Sequence, residues 1–371
     1  MSASKGTGSP PASAHVALVM VVRDSAATLR RLVESVEGVI DEWLVVDAGS
    51  VDGTPELVGE LLGHLPGRLE HRSWVNATHN GTELLSLARD LVQPTHLLLL
   101  EPDMTVEPGP NFRHRLADTT GQRLMVTVRR PLFEIRQPLL LRTGPRWSFE
   151  GEGVTRLVSE VPVATEDFDG LLVVHHVDSP NRPVVLDENV KLLLAQQDNR
   201  PEDADLSFQL ALNYRDLGHT TEALKAFDQT LKLSSSPDVI FYCALQIGDL
   251  HHRSGNLADA AWSYLEAVQV DPLRAEGFHR LGRLLNEQAR WQAARVWLER
   301  GAQLSPVQRG LFVETWVESW GVEFELAIAR WWTDDRVAAD AAFADLAERP
   351  DVPAPYRQAC HQNLALANKQ D

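Results

Sequence analysis

The chain has 371 residues, 44% apolar and 23% charged, with a formal net charge of −17. That length supplies two domains with a core each. The negative charge opposes phosphate-backbone binding and any general attraction to anionic membrane, so neither nucleic acid nor membrane is an expected partner.

Residues 1–14 open the chain, and the Ser, Pro and Gly content of Met1 to Ser13 predicts disorder. His15 to Val22 reads as a buried strand rather than a signal core, because no small-residue cleavage site fits behind it. Ala26 to Glu37 is a predicted helix, with Leu29, Leu32, Val33 and Val36 on one face. Glu42 to Val46 is the second strand. It runs into Asp47, and Gly49 and Gly53 supply the backbone freedom its turn needs. Pro55 to Gly63 follows as a helix with proline in its first turn. Arg68 to Ser73 is a short strand, Thr82 to Val92 a helix, and Thr95 to Leu100 a deeply buried strand. Leu124 to Val128 and Pro138 to Arg142 read as antiparallel edges, and Leu171 to His175 as a last strand. Strands alternating with helices predict parallel pairing with helices on both faces.

Near Pro183 the period becomes helical, and it repeats. Ala211, Gly218 and Ala223 share their spacing with Gly248, Gly255 and Ala260, and with Gly282, Ala289 and Ala294. A period near 34 residues marks a helical solenoid. It resembles tetratricopeptide repeats over roughly Pro201 to Pro306, with a degenerate fourth unit around Ala327, Asp334 and Ala339. Pro353 to Asn368 caps the stack. The tryptophans of the fourth unit, Trp316, Trp320, Trp331 and Trp332, either fill its core or present a dimer surface. The predicted organisation is an α/β domain over 15–182 and an all-α repeat domain over 183–371. Cys243 and Cys360 read as reduced structural thiols, and no apolar run is long enough to span a bilayer, so the expected location is cytoplasmic.

Three groups of residues carry chemistry. Asp47 and Asp52 lie in a tight turn just past a strand, where a carboxylate can accept hydrogen bonds from a base or ribose. Asp52 also suits an Asx-turn or helix cap. Glu101 and Asp103 end an all-apolar strand, and two carboxylates one residue apart there suit Mg²⁺ or Mn²⁺ bound to a diphosphate. His175 and His176 close the last strand. Adjacent side chains point to opposite faces, so at most one can complete a metal shell.

In this order ALVMVVRDSAATLRRLVESV, VVDAGSVDGT, WVNATHNGTELLSLA and LLLLEPD resemble the N-terminal part of family-two inverting glycosyltransferases, over about Val16 to Val177. The resemblance implies a GT-A fold, a Rossmann-like mixed sheet, and a nucleotide-sugar donor such as a UDP-sugar. A tetratricopeptide tail occurs in one branch of that family, which includes peptide and S-glycosyltransferases. It implies that Arg23, Asp24, Asp47, Ser50, Asp52 and Asn80 hold the nucleotide. Glu101-Pro102-Asp103 occupies the place of the usual Asp-x-Asp metal motif. Where the branch often carries Val-His-Glu, this chain has Val154-Thr155-Arg156, which leaves Glu150 and Glu152 as candidates for the base. The implied activity is inverting sugar transfer to a peptide, protein or natural product, with the repeats holding the acceptor or joining two protomers as a homodimer. The competing reading is a catalytically silent sugar-nucleotide-binding domain on an interaction scaffold.

Overall fold

The computed structural model describes residues 14–91, 94–131, 133–151, 155–179, 182–305 and 312–367. They form two units, one reaching to Pro131 and resuming over Ile135–Asn199, the other comprising Leu132–Glu134 and the chain from Arg200 on. The junction therefore falls at Asn199, later than the expected change near Pro183. The helix that follows the last strand belongs to the first unit.

β1 (Val16–Val22) is apolar throughout because both its faces are covered. Val16, Leu18, Met20 and Val22 share a core with Leu29, Leu32 and Val33 of α1 (Ala26–Val36). Ala17 and Val19 face a second core with Leu84 and Leu85 of α3 (Ala77–Leu87). A strand buried on both faces is what a parallel sheet between helices requires. β2 (Glu42–Asp47) and β4 (His96–Leu99) flank β1 in parallel, and α2 (Thr54–Leu62) leads to β3 (Gly67–His71) outside β2. Ala14, expected within the disordered start, is instead buried, and its carbonyl accepts from Arg113 Nη1 at 2.9 Å. Residues 1–13 lie outside the described residues. α3 starts earlier than its apolar pattern suggests, because Asn76 caps it by accepting from the His79 N–H at 2.7 Å.

The rest of the unit comprises β5 (Met104–Pro108), α4 (Phe112–Ala117), β6 (Arg123–Arg129), β7 (Glu134–Arg142), β8 (Trp147–Glu150), β9 (Arg156–Ser159), β10 (Thr165–His175) and α5 (Arg182–Gln197). The main sheet runs β3-β2-β1-β4-β7-β6-β10-β5, and β8 and β9 form a separate hairpin. The two expected edge strands, β6 and β7, lie inside the sheet, since β7 pairs antiparallel with β4 and β6 pairs parallel with β10. Leu99 and Met104, only five positions apart, belong to β4 and β5, with three strands between them in sheet order. Five residues reach at most about 18 Å, whereas four strand spacings on a flat sheet need about 19 Å. The sheet therefore curls, bringing β5 against α1, where the Val106 N–H donates to Ser35 Oγ at 3.1 Å.

The second unit is a run of antiparallel helix pairs: α6 (Ala204–Asp216) with α7 (Thr220–Leu233), α8 (Pro237–Arg253) with α9 (Leu257–Val270), and α10 (Ala275–Glu287) with α11 (Trp291–Ala302). α12 (Val322–Trp331) and α13 (Arg336–Glu348) make the fourth pair, and α14 (Ala354–Ala367) follows. The small residues divide into two roles. A Cβ on Gly248 would strike the Tyr264 ring and one on Gly282 would strike Leu298, so these positions set the close approach within a pair. Gly218, Gly255, Ala289 and Asp334 all have φ between 55° and 79° and make the turn between the two helices of a pair. Ala327 and Ala339 are fully buried, and Trp320 joins their core with Trp316 and Trp331 packed against it. Three of the four tryptophans thus serve packing. Trp332 is 59% exposed and stacks on Trp291 at 5.3 Å. Cys243 and Cys360 are buried free thiols, and burial pushes the Cys360 thiol up to about 11. Among the described residues no helix is long and apolar enough to cross a membrane.

Candidate functional site

Parallel strands β2, β1 and β4 end on one edge of the sheet, with Asp47 in register with Val22 and Leu99 with Val19. The loops leaving that edge interlock. The Asp24 N–H donates to Ser50 Oγ at 2.9 Å, and Asp24 Oδ1 accepts from the Val51 N–H at 2.7 Å. Asp52 accepts from the Ala26 N–H and from the Thr54 N–H, both at 3.0 Å, and from the Thr54 hydroxyl at 2.5 Å. Burial opposes ionisation of Asp52, but these donors outweigh it and hold its carboxyl below the usual range. The capping role foreseen for Asp52 is the one its oxygens fill here. Asp47 is 3% exposed; it accepts from the Ser50 N–H at 3.2 Å and faces His71 Nδ1 at 3.3 Å. Arg23 lies over the Trp74 ring, 5.7 Å from its centroid.

Two strands over from Asp47, roughly 10 Å away by strand spacing, is an acidic group with one imidazole. Glu101, Asp103 and His175 each offer a ligand atom, and these atoms lie within 4.8 Å of one another. His175 Nε2 is 3.2 Å from Asp103 Oδ1 and 3.8 Å from Glu101 Oε2. Glu101 is exposed, whereas Asp103 and His175 are buried. Burial alone would raise the Asp103 carboxyl, but the His175 hydrogen bond and charge prevail and keep it lowered. His175 Nδ1 is buried with no hydrogen-bond partner among the described residues, so the ring is held by its packing and by the Nε2 contact with Asp103. Two carboxylate oxygens and one imidazole nitrogen form a donor set that fits Mn²⁺ and Mg²⁺, the imidazole favouring Mn²⁺.

His176, expected as an alternative ligand, is outside this group. Its ring Nε2 meets Thr105 Oγ1 at 2.9 Å, and its N–H donates to the Asp103 carbonyl at 3.1 Å. The alternation of a strand sends the two rings to opposite faces. Asn80 is fully buried, and both ends of its amide are spent on backbone: Oδ1 accepts from the Val75 N–H at 2.9 Å and Nδ2 donates to the Ser73 carbonyl at 3.0 Å. It shapes the loop after β3 and has no surface for a nucleotide. Glu150 is exposed at the end of β8, which is tied to α3 by mutual hydrogen bonds between Thr82 Oγ1 and the Phe149 backbone. Glu152 lies outside the described residues. An open cleft beside this hairpin is lined by Asn76, Thr78, His79, Thr82, Glu83 and Ser86, and Glu101, Asp103 and His175 are not part of that lining.

Sequence reasoning missed His71, Trp74 and the Arg31–Asp178 pair, which is bidentate at 2.7 and 2.8 Å beside Asp103. Asp178 was within reach of it, three positions beyond His175. Between them Val177 has φ 49°, and Asp24 has φ 47°. A left-handed β-branched residue costs on the order of 1–3 kcal/mol, and such strain gathers at functional sites.

No family model matches the chain. Its helix pairs, with their small residues at close approaches and turns, make the second unit a tetratricopeptide-type array. A TPR repeat-containing protein of Synechococcus elongatus is 26% identical over 303 residues, spanning 74% of this chain and 70% of that protein. That share exceeds the stretch from Arg200 to Asp371, so the match reaches into the sheet unit. Among solved structures, MamA from Desulfovibrio magneticus aligns at a TM-score of 0.36 and 18% identity, over 44% of this chain and 85% of that one. The C-terminal part of a TPR repeat-containing protein from Cytophaga hutchinsonii aligns at 0.36 and 16%, over 44% and 60%.

Proposed function

We propose that the chain is an inverting glycosyltransferase of GT-A type that uses a nucleotide-sugar donor, a UDP-sugar by family resemblance, and acts on a peptide, protein or natural product. One observation carries the reading: Glu101, Asp103 and His175 converge on the same sheet edge as the loops of Asp24, Asp47 and Asp52. A donor nucleotide has its base and ribose at one end and its diphosphate at the other. An edge with a hydrogen-bonding platform two strands away from a cation-type ligand set suits both ends.

Mg²⁺ or Mn²⁺ held by Glu101, Asp103 and His175 would supply positive charge against the leaving diphosphate. Asp103 stays ionised at neutral pH because its carboxyl is lowered, and His175 fixes its orientation. Asp24 and Ser50 lock the turn on which the nucleoside would rest. Glu150 is the candidate base: its carboxylate would take the proton from an acceptor nucleophile attacking the anomeric carbon. A thiol acceptor asks less of that base, since its pKa is about 8.5.

A second reading has its own support. Thr155-Arg156 stands where a His-Glu pair is usual, and the Synechococcus relative is described only by its repeats. On that reading the sheet unit binds a donor without turning it over. Incubation with UDP-sugars and Mn²⁺ separates the two. Release of free UDP that disappears in Asp103→Asn supports the transferase. Donor binding with no turnover across a panel of donors and acceptors supports the scaffold.

A further inference from the structure

His175 reaches the cation group without the second anchor that a metal-binding histidine ordinarily has. Its Nδ1 meets no hydrogen-bond partner among the described residues, where such a ring usually donates that nitrogen to a carboxylate or a carbonyl. The anchors lie just beyond it in the chain. The His176 N–H donates to the Asp103 carbonyl at 3.1 Å, and its ring Nε2 meets Thr105 Oγ1 at 2.9 Å. Val177 then takes φ 49°, which a β-branched residue keeps only when the structure on both sides holds it there. On the far side stands Asp178. Its two oxygens accept from Arg31 Nη1 and Nη2 at 2.8 and 2.7 Å, a fork that fixes the carboxylate in direction as well as in distance. Arg31 in turn belongs to α1, whose Leu29, Leu32 and Val33 are buried in the core. A continuous line therefore runs from a packed helix, through one ion pair and one strained residue, to the end of β10 and across to Asp103.

We propose that Arg31 and Asp178 are a positioning pair for the candidate cation site: by holding Val177 in its left-handed conformation they keep His175 within reach of Asp103 and Glu101. Neither residue belongs to the ligand group itself, whose three atoms come from Glu101, Asp103 and His175. Exposure separates this role from a general contribution to folding. The two side chains are 40% and 49% exposed, and ion pairs that open to water add little stability. Charge separates it from an electrostatic role. Arg31 is close enough to Asp103 for that carboxylate to help raise its pKa, after the larger effect of the Asp178 hydrogen bond. A guanidinium so placed repels a divalent cation. On charge alone its removal, which also frees the Asp178 carboxylate, would tighten metal binding; on positioning it would loosen it. The two roles differ in sign. The positioning role rests on the cation-site reading of Glu101, Asp103 and His175.

Mn²⁺ titration of the full chain, followed by electron paramagnetic resonance of the free ion, tests it. Arg31→Gln and Asp178→Asn are each expected to weaken Mn²⁺ binding about tenfold, as loss of a ligand's supporting group does. Urea midpoints of both variants are expected to stay near that of wild type. In Val177→Gly/Asp178→Asn the left-handed turn needs no clamp, because glycine takes positive φ freely, and most of the lost affinity is expected to return. Tighter or unchanged binding by Arg31→Gln overturns the proposal. So does weakening by Asp178→Asn that the glycine leaves untouched, since Asp178 would then act through its charge. A urea midpoint that falls in step with binding overturns it too, because the pair would then hold the fold and not the ligand. Asp103→Asn keeps the two levels apart. If it weakens binding while Asp178→Asn matches wild type, the cation site stands and only the positioning role falls. If wild type itself binds no Mn²⁺, both fall.

Discussion

His175 Nε2 and Asp103 Oδ1 stand 3.2 Å apart although they are far apart in sequence. The pairing follows from strand direction. β10 runs antiparallel to β5 with His175 opposite Met104, which sets the last residue of one strand beside the residue that precedes the other. Curling of the sheet returns the start of β5 to the end of β4, and Glu101 completes the group.

If this pairing builds a cation site, Asp103→Asn should weaken Mn²⁺ binding by on the order of 100-fold, since a neutral amide replaces a buried charged ligand. His176→Ala should leave Mn²⁺ binding essentially unchanged, because that ring faces Thr105. Electron paramagnetic resonance of free Mn²⁺ during titration reads both. Equal weakening by the two substitutions would remove the distinction drawn between the histidines.

Asn80→Ala should act on folding. The amide is fully buried and bridges the Val75 N–H and the Ser73 carbonyl. Removing it strands two backbone groups, for a loss of about 1–3 kcal/mol. Urea unfolding at neutral pH measures this; a variant as stable as wild type would return Asn80 to the list of ligand-binding candidates.

What the sequence made legible follows from the range of the interactions involved. The apolar runs of β1, β2 and β4 are local signals, and so are the repeat positions from Ala211 to Ala294. Both predict elements that the fold contains. The acids at strand ends were visible for the same reason. Placement of β6 and β7 inside the sheet was not, because it depends on β4 pairing with β7 across a long stretch of chain. Choosing between His175 and His176 likewise needed the β5–β10 register. Asn80 drew a nucleotide-binding expectation because its neighbours resemble a ligand motif, whereas the partners of its amide here, Ser73 and Val75, are set by the turn of a loop. The aromatic cluster around Phe312 joins Phe208 of α6, Tyr242 of α8 and Phe133, and left no pattern along the chain.

Asp41 gives a pH prediction away from the candidate site. Its Oδ2 accepts from the Val16 N–H and from Arg113 Nη1, both at 2.8 Å. Burial would raise its pKa, but the Arg113 and Val16 hydrogen bonds win and hold it below the usual carboxylate range. A carboxyl lowered on folding stabilises above its unfolded pKa and loses that contribution as pH falls through the folded one. Asp41→Asn should therefore destabilise at pH 7 and show a shallower loss of stability on acidification below about pH 4. Urea midpoints at pH 7 and pH 3 test this, and parallel curves for the two proteins would count against it.

Two glycines of the array should respond in different ways. Gly248→Ala puts a methyl into the ring of Tyr264, which is fully buried and tied by its hydroxyl to Asp249 at 2.9 Å. The ring cannot swing aside without losing that bond, so overpacking should cost about 1–3 kcal/mol. Gly218→Ala meets open space, and its penalty is confined to φ 79°, about 1 kcal/mol. Thermal unfolding of the two variants should rank them in that order.

The Arg274–Glu276 pair allows a sharper test, because both side chains are 1% exposed and their closest approach is 2.5 Å. Replacing Glu276 with Leu removes the nearest counter-charge. Arg274 would keep the Phe241 ring at 4.1 Å, Asp238 at 3.8 Å and the Phe312 carbonyl, which accepts from its Nη2 at 3.2 Å. These offset the desolvation of a guanidinium less well than a hydrogen-bonded carboxylate does, and the expected loss is about 3–5 kcal/mol. Arg274→Met combined with Glu276→Leu removes both charges and should recover part of that loss, since no buried charge is left half-paired while the Phe312 carbonyl and the Glu314 N–H lose their partners. Chemical denaturation of the two single variants and the double variant completes the cycle. A double variant no more stable than the worse single one would mean that the pair contributes through its links to Phe312 and Glu314 and not through charge compensation.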